Sequence, residues 1–132
     1  MNLANVHSRQ LLLLELQNKL INKYGEDDYN VFVFGSFLTS SYQDGKSDID
    51  LAVYTDSLEK YINISVDIEE FLNMKKLPFD LFYIDVRHPS PVYYAALSSE
   101  IWLTDYYPSL LISFKEQCLK EVKKIMEERY KR

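Results

Sequence analysis

Val31-Phe32-Val33-Phe34-Gly35-Ser36 and, after a polar stretch, Ser47-Asp48-Ile49-Asp50-Leu51-Ala52-Val53-Tyr54 are the segments whose reading decides the fold. Four successive β-branched and aromatic residues that stop on a glycine predict a short buried strand over 31–34. From 48 to 54, acidic or small residues alternate with Ile49, Leu51 and Val53, which predicts a second strand with one apolar face. Side chains two apart in a strand share a face, so Asp48 and Asp50 present two carboxylates together while Ile49 and Leu51 hold the other side. Neighbouring carboxylates repel unless a cation joins them. Mg²⁺ suits such a pair, because it takes one or two carboxylates and completes its shell with phosphate oxygens and water. Gly35, at the end of the first strand, lets the backbone turn sharply and a ligand approach closely. Ser36 adds a hydroxyl and an N–H just before an expected helical turn at 37–42, where free N–H groups favour phosphate. Gly-Ser or Asp-x-Asp alone is a weak signal; in this order, on two strands, they are far more specific.

Upstream, Leu13, Leu16, Leu20 and Tyr24 recur at helical spacing and Gly25 follows as a stop, predicting an amphipathic helix over 8–24. Downstream, Asp56-Ser57 supplies a cap for a second helix through Tyr61, Ile64, Ile68 and Phe71 that ends near Lys75-Lys76. Residues 79–86 read as a third strand, broken by Pro89 and Pro91, then a short helix over 92–98 and an edge strand at 101–103. Pro108 opens a long final helix, about 107–130, through Leu111, Phe114, Cys118, Val122 and Ile125. This order predicts an α/β (α+β) domain with a small mixed β-sheet of about four strands flanked by helices.

The 132 residues leave room for a single domain, 1–132, and the 47% hydrophobic content suffices for its core. No apolar run is long enough to span a bilayer and no signal peptide is readable, so a cytoplasmic protein without membrane contact is expected. The lone cysteine, Cys118, falls on an apolar helical face and reads as a packing residue. Residues 1–114 carry 16 acids against 8 bases, whereas 115–132 carry 4 against 7. An acidic body argues against broad nucleic-acid binding, which depends on lysine and arginine displacing counterions, and suits recruitment of divalent cations. The basic tail favours the end of a helix without any partner, or serves as a docking segment. His7 and His88 have no neighbours at zinc-ligand spacing. The tyrosines Tyr93, Tyr94, Tyr106 and Tyr107 read as packing groups first and base-stacking groups second. Ser36 lacks a local histidine to activate it as a nucleophile.

With these residues in place, the sequence resembles the nucleotidyltransferase superfamily related to DNA polymerase beta, and within it the minimal nucleotidyltransferases. Their motif is Gly-Ser, about ten residues, then Asp-x-Asp; here eleven residues, 37–47, separate the two parts. The resemblance implies the nucleotidyltransferase fold. It also implies a third carboxylate in a later hydrophobic-Asp-hydrophobic setting, which matches Phe79-Asp80-Leu81. The chain departs from the pattern in three ways. Its spacer is one residue longer, Phe37-Leu38-Thr39-Ser40-Ser41 stands where an arginine and a glycine are common, and Ser99-Glu100 replaces a glycine before the last strand. Phosphate would then be met by Mg²⁺, backbone N–H groups and Lys46.

Parity bears on the third carboxylate: Asp80 and Asp85, five apart on one strand, face opposite ways, so only one can join Asp48 and Asp50. Asp80 shares its face with Phe82 and Ile84, where a carboxylate is costly without a partner, while Asp85 sits beside Arg87. The resemblance therefore implies Asp48, Asp50 and Asp80 as catalytic and metal-holding residues, with two Mg²⁺ ions. Gly35, Ser36, Lys46 and Ser47 would contact the nucleotide, ATP. It further implies transfer of AMP to a hydroxyl of a HEPN-type partner protein, a toxin tyrosine, with this chain as antitoxin. A non-catalytic antitoxin that masks its partner with the last helix, and an aminoglycoside-type small-molecule nucleotidyltransferase completed by a dimer, remain alternatives. Homo-oligomerisation stays open.

Overall fold

A computed structural model describes residues 3–130. Its elements are α1 (Val6–Tyr24), β1 (Tyr29–Phe34), β2 (Ile49–Thr55), α2 (Leu58–Met74), β3 (Phe79–Tyr83), α3 (Pro91–Leu97), β4 (Ile101–Trp102) and α4 (Ser109–Tyr130). The strands form one mixed sheet in the order β3-β2-β1-β4. β1 is antiparallel to both its neighbours, and β2 runs parallel to β3. The expected α+β architecture with four strands is what forms.

Strand parity divides the core in two. Val31 and Val33 of β1 and Ile49, Leu51 and Val53 of β2 face α1 and α2, where they meet Leu12, Leu16, Leu20, Ile64, Ile68 and Leu72. Phe32, Ala52 and Tyr54 face the other way, toward Ala96 and Leu97 of α3 and Leu111, Phe114 and Cys118 of α4. Both central strands are thus covered on both sides, which is why β1 reads as a continuous apolar run. Cys118 is a buried free thiol, as its helical register predicts.

The helix caps explain where elements begin. Asn5 accepts from the N–H of Ser8 at 3.0 Å and starts α1 two residues before the apolar pattern becomes visible. Ser57 does the same for α2, and Ser90 for α3 with Pro91 just inside. β3 ends at Tyr83 rather than Val86 because Asp85 turns the chain: its carboxylate accepts the N–H of Arg87 at 3.0 Å and its carbonyl accepts that of His88 at 3.1 Å. β4 is two residues long, one shorter than expected. Buried Asn30 ties it down, donating to the Tyr106 carbonyl at 2.7 Å and accepting from Thr104 at 3.1 Å. No helix is long and apolar enough to cross a membrane among the described residues.

One buried carboxylate fastens α1 to α2. Asp67 accepts from the Tyr24 hydroxyl and pairs with Lys23 at 2.8 Å. Burial pushes its carboxyl up, but the bonds from Lys23 and Tyr24 outweigh this and hold it below the ordinary range. A carboxyl lowered in the folded state stabilises above its unfolded value and loses that contribution as pH falls through its folded value. Asp67→Ala is therefore expected to cost about 2 kcal/mol at pH 7. Urea melts should show the difference from wild type shrinking as the pH drops below about 4; a gap that stays constant with pH would contradict the assignment.

Candidate active site

The sheet brings the two halves of the motif together. In the β1–β2 ladder Phe34 lies opposite Asp50, so Gly35 follows directly beside that carboxylate. In the β2–β3 ladder Asp50 lies opposite Asp80. Asp48 sits one residue before β2, not within it as the alternation suggests, and is exposed. The Asp50 side chain shares the face of Phe34 and Phe82, whose rings are 6.0 Å apart across the small Ala52. Phe82 and Ile84 on the same strand face belong to that apolar layer, so Asp80 is the lone carboxylate of β3 on it.

Gly35 has φ +76, and a methyl group added to it would lie 2.3 Å from Asp50 Oδ2. The position needs glycine twice, for its backbone angle and for the carboxylate packed against it. Asp50 is half-buried, and burial pushes its carboxyl above the ordinary value, with the charges of Asp80 and Asp48 adding to the rise. No lysine or arginine pairs with any of these three aspartates among the described residues. The donor set is thus hard, anionic and short of positive charge, which fits a divalent cation. Among the described residues no three acidic, histidine or cysteine side chains are grouped closely enough to hold a metal ion by themselves. An open edge of this kind leaves ligand positions to phosphate oxygens.

The segment after Gly35 forms successive turns instead of the expected helical turn at 37–42. Thr39 donates to the Ser36 carbonyl from its N–H and from its hydroxyl, both at 2.8 Å, and Tyr42 donates to the Thr39 carbonyl at 3.4 Å. The Thr39 hydroxyl also accepts from Ser41 at 3.2 Å, a local bond that competes with helix. The N–H groups of Ser36, Phe37 and Leu38 donate to no described residue. The free donors expected of a helix start are therefore present in a turn. The next bend folds on Ser47, whose hydroxyl accepts from the Gln43 N–H at 2.9 Å, so Ser47 shapes the approach to Asp48. Lys46 on this bend is exposed and has no ion-pair partner among the described residues.

Asp85 lies apart from the other aspartates. The Arg87 guanidinium, 2.8 Å away, holds its carboxyl well down, at about 2, which agrees with its reading as a paired surface residue. Ser99 has a role in place of the glycine common there: its hydroxyl donates to the Val33 carbonyl and accepts from Ile101 at 3.0 Å, fixing β4 against β1. A cavity of about 310 Å³ opens between the Gly-Ser turn and this junction, lined by Phe34, Gly35, Thr39, Ser98, Ser99 and Glu100.

Arg9 is the residue that sequence reasoning missed. It is 4% exposed and its Nη1 donates to the carbonyls of Phe37 at 2.5 Å and Thr39 at 3.0 Å. The signal was available, since Arg9 continues the spacing of Leu13, Leu16 and Leu20 on the buried face of α1.

Fold and carboxylate placement together define the class: an α+β domain of the nucleotidyltransferase fold. The chain belongs to the Polymerase beta, Nucleotidyltransferase family, whose model matches residues 18–130, and it is by that membership a nucleotidyltransferase. No curated protein matches it. Among solved structures it is similar to a chain of the toxin–antitoxin pair MntA–HepT, at 17% identity and TM-score 0.52, covering 91% of this chain and 92% of that one. It is also similar to a chain in the complex of a tri-AMPylated Shewanella oneidensis HEPN toxin with an MNT antitoxin, at 18% identity and TM-score 0.53, with 92% of each chain covered. A toxin–antitoxin structure with AMP-PNP matches at 19% identity and TM-score 0.56, covering 87% of this chain and 90% of that one.

Proposed function

We propose that this chain transfers AMP from ATP to a tyrosine hydroxyl of a HEPN-type partner and thereby acts as its antitoxin. The observation that carries the reading is the register of Asp50 against Asp80 with Gly35 packed on Asp50, which puts a turn with free N–H groups beside an uncompensated acidic edge. The solved chains of similar fold belong to toxin–antitoxin pairs, one with an AMPylated HEPN toxin and one with an ATP analogue, and this supports the choice of nucleotide and acceptor.

In this account the free N–H groups after Gly35, with Ser36 and Lys46, hold the triphosphate, and the neighbouring cavity takes the nucleoside. Asp48, Asp50 and Asp80 would hold two Mg²⁺ ions, which neutralise phosphate charge and lower the cost of the charge that builds during displacement. The acceptor oxygen forms a bond to the α-phosphorus, the bond from that phosphorus to the α–β bridging oxygen breaks, and pyrophosphate leaves with the electron pair. Asp80 is exposed on the edge strand β3, where an acceptor protein can reach it, and it takes the hydroxyl proton. Positioning and fixed charge supply most of the rate.

A second reading, a masking antitoxin without turnover, has one observation in its favour. The end of α4 leaves Ile125, Met126 and Tyr130 exposed, a surface a partner could cover. Co-incubation with a candidate HEPN-type partner protein, ATP and Mg²⁺, followed by intact-mass measurement, separates the two. Added AMP units on the partner with wild type and none with Asp48→Asn support transfer. Full neutralisation of the partner by Asp48→Asn, with no added mass from either protein, would establish masking instead.

A further inference from the structure

Arg9 is a buried cation without an anion. Its guanidinium is always charged, yet no aspartate or glutamate pairs with it among the described residues. Its partners are the two carbonyls of the turn and the face of Tyr42, whose ring centroid lies 4.9 Å from the guanidinium carbon. Its Nε has no hydrogen-bond partner among the described residues. Buried charges are ordinarily matched by an opposite charge, because taking them out of water is expensive. Arg9 also lies before the residues matched by the family model, which begin at 18. From Ser36 to Gly45 the chain has no basic residue of its own.

The two carbonyls are informative because of what shares their peptide planes. The described chain has no cis peptide bond, and in a trans peptide the C=O and N–H point in opposite directions. The Phe37 carbonyl belongs to one plane with the Leu38 N–H, and the Thr39 carbonyl to one plane with the Ser40 N–H. Holding both carbonyls on Arg9 therefore turns both N–H groups away from it. Neither donates to any described residue. Arg9 thus has its positive charge on one side of the turn and two unspent donors on the other, an arrangement that attracts an anion to the outer side.

We propose that Arg9 is a positioning residue for the triphosphate: it orients the Leu38 and Ser40 N–H groups and supplies from beneath the turn the positive charge that the turn's own sequence lacks. The proposal rests on the nucleotidyl-transfer reading above. Arg9→Met keeps an unbranched apolar stem and removes charge and donors. In the transfer reaction with the HEPN-type partner, it is expected to raise the KM for ATP about tenfold while kcat at saturating ATP stays within about threefold, the mark of lost binding rather than lost chemistry. Arg9→Lys restores the charge on a shorter side chain, whose ammonium stops short of the position from which Nη1 reaches both carbonyls, so it should recover part of the affinity.

A second measurement avoids the variants altogether. In wild type, saturation with ATP and Mg²⁺ should slow hydrogen exchange at the Leu38 and Ser40 amides. An Arg9→Met protein that is folded and has wild-type KM, or one that loses kcat with KM unchanged, would overturn the proposal. So would Leu38 and Ser40 amides that exchange at the same rate with and without ATP and Mg²⁺. If wild type binds ATP and transfers AMP while Arg9→Met does so equally well, this proposal fails alone. If wild type binds no ATP with Mg²⁺, both readings fail together.

Discussion

Asp50→Asn is expected to abolish transfer, by at least about 100-fold, and to melt no lower than wild type at pH 7. Both results follow from one environment. Asp50 lies opposite Asp80 in the parallel ladder and beside Gly35, so its carboxylate is the central member of the acidic edge. The same placement makes it costly in the free protein: burial first, then the charges of Asp80 and Asp48, raise its pKa. A carboxyl raised in the folded state favours folding below its unfolded value, and that contribution is lost as pH rises through its folded value. At pH 7 the ionised form carries the penalty and asparagine does not. Melts of the metal-free proteins across pH 4–8 check the stability half, and transfer assays check the other. Unaltered transfer by a folded Asp50→Asn would remove this aspartate from the chemistry.

Gly35→Ala should damage both properties at once. An alanine there must adopt φ +76, which costs about 1–2 kcal/mol, and its methyl would stand 2.3 Å from Asp50 Oδ2. Either the carboxylate or the strand end must move, an overpacking cost of about 1–3 kcal/mol. The variant is therefore expected to lose about 2–5 kcal/mol of stability in denaturant melts and to lose most of its transfer activity even where it remains folded. Asp50→Asn and Gly35→Ala thus form a diagnostic pair: the first separates chemistry from stability and the second joins them. A Gly35→Ala protein as stable as wild type would show that the turn can relax away from Asp50, against the tight packing described.

The sequence makes the central part of this arrangement legible because strand parity is a strong constraint. Alternation around Ile49 and Leu51 places Asp50 on one face, and the five-residue separation of Asp80 from Asp85 lets only one of them share it. The structure has Asp80 there, with Asp85 held by Arg87. What the sequence hides is decided by side-chain bonds of two kinds. Local ones move boundaries: the Asp85 carboxylate ends β3 early, and the Thr39 hydroxyl turns 37–42 into successive turns. Distant ones create roles without a motif. Arg9 meets Phe37 across 28 residues, and Asn30 meets Tyr106 across 76. Periodicity could place Arg9 on the buried face of α1, but nothing in its neighbourhood states that two loop carbonyls await it. The long spacer without arginine reads differently once this contact is known, because the charge approaches the turn from another element.

In the proposed reaction the α-phosphate of ATP, and not the γ-phosphate, moves to the partner protein. Parallel reactions with α-labelled and γ-labelled ATP, each with Mg²⁺ and the HEPN-type partner, test it most directly. Label is expected on the partner from α-labelled ATP alone, with the γ label recovered in pyrophosphate. Label on the partner from γ-labelled ATP, or from neither, would contradict it.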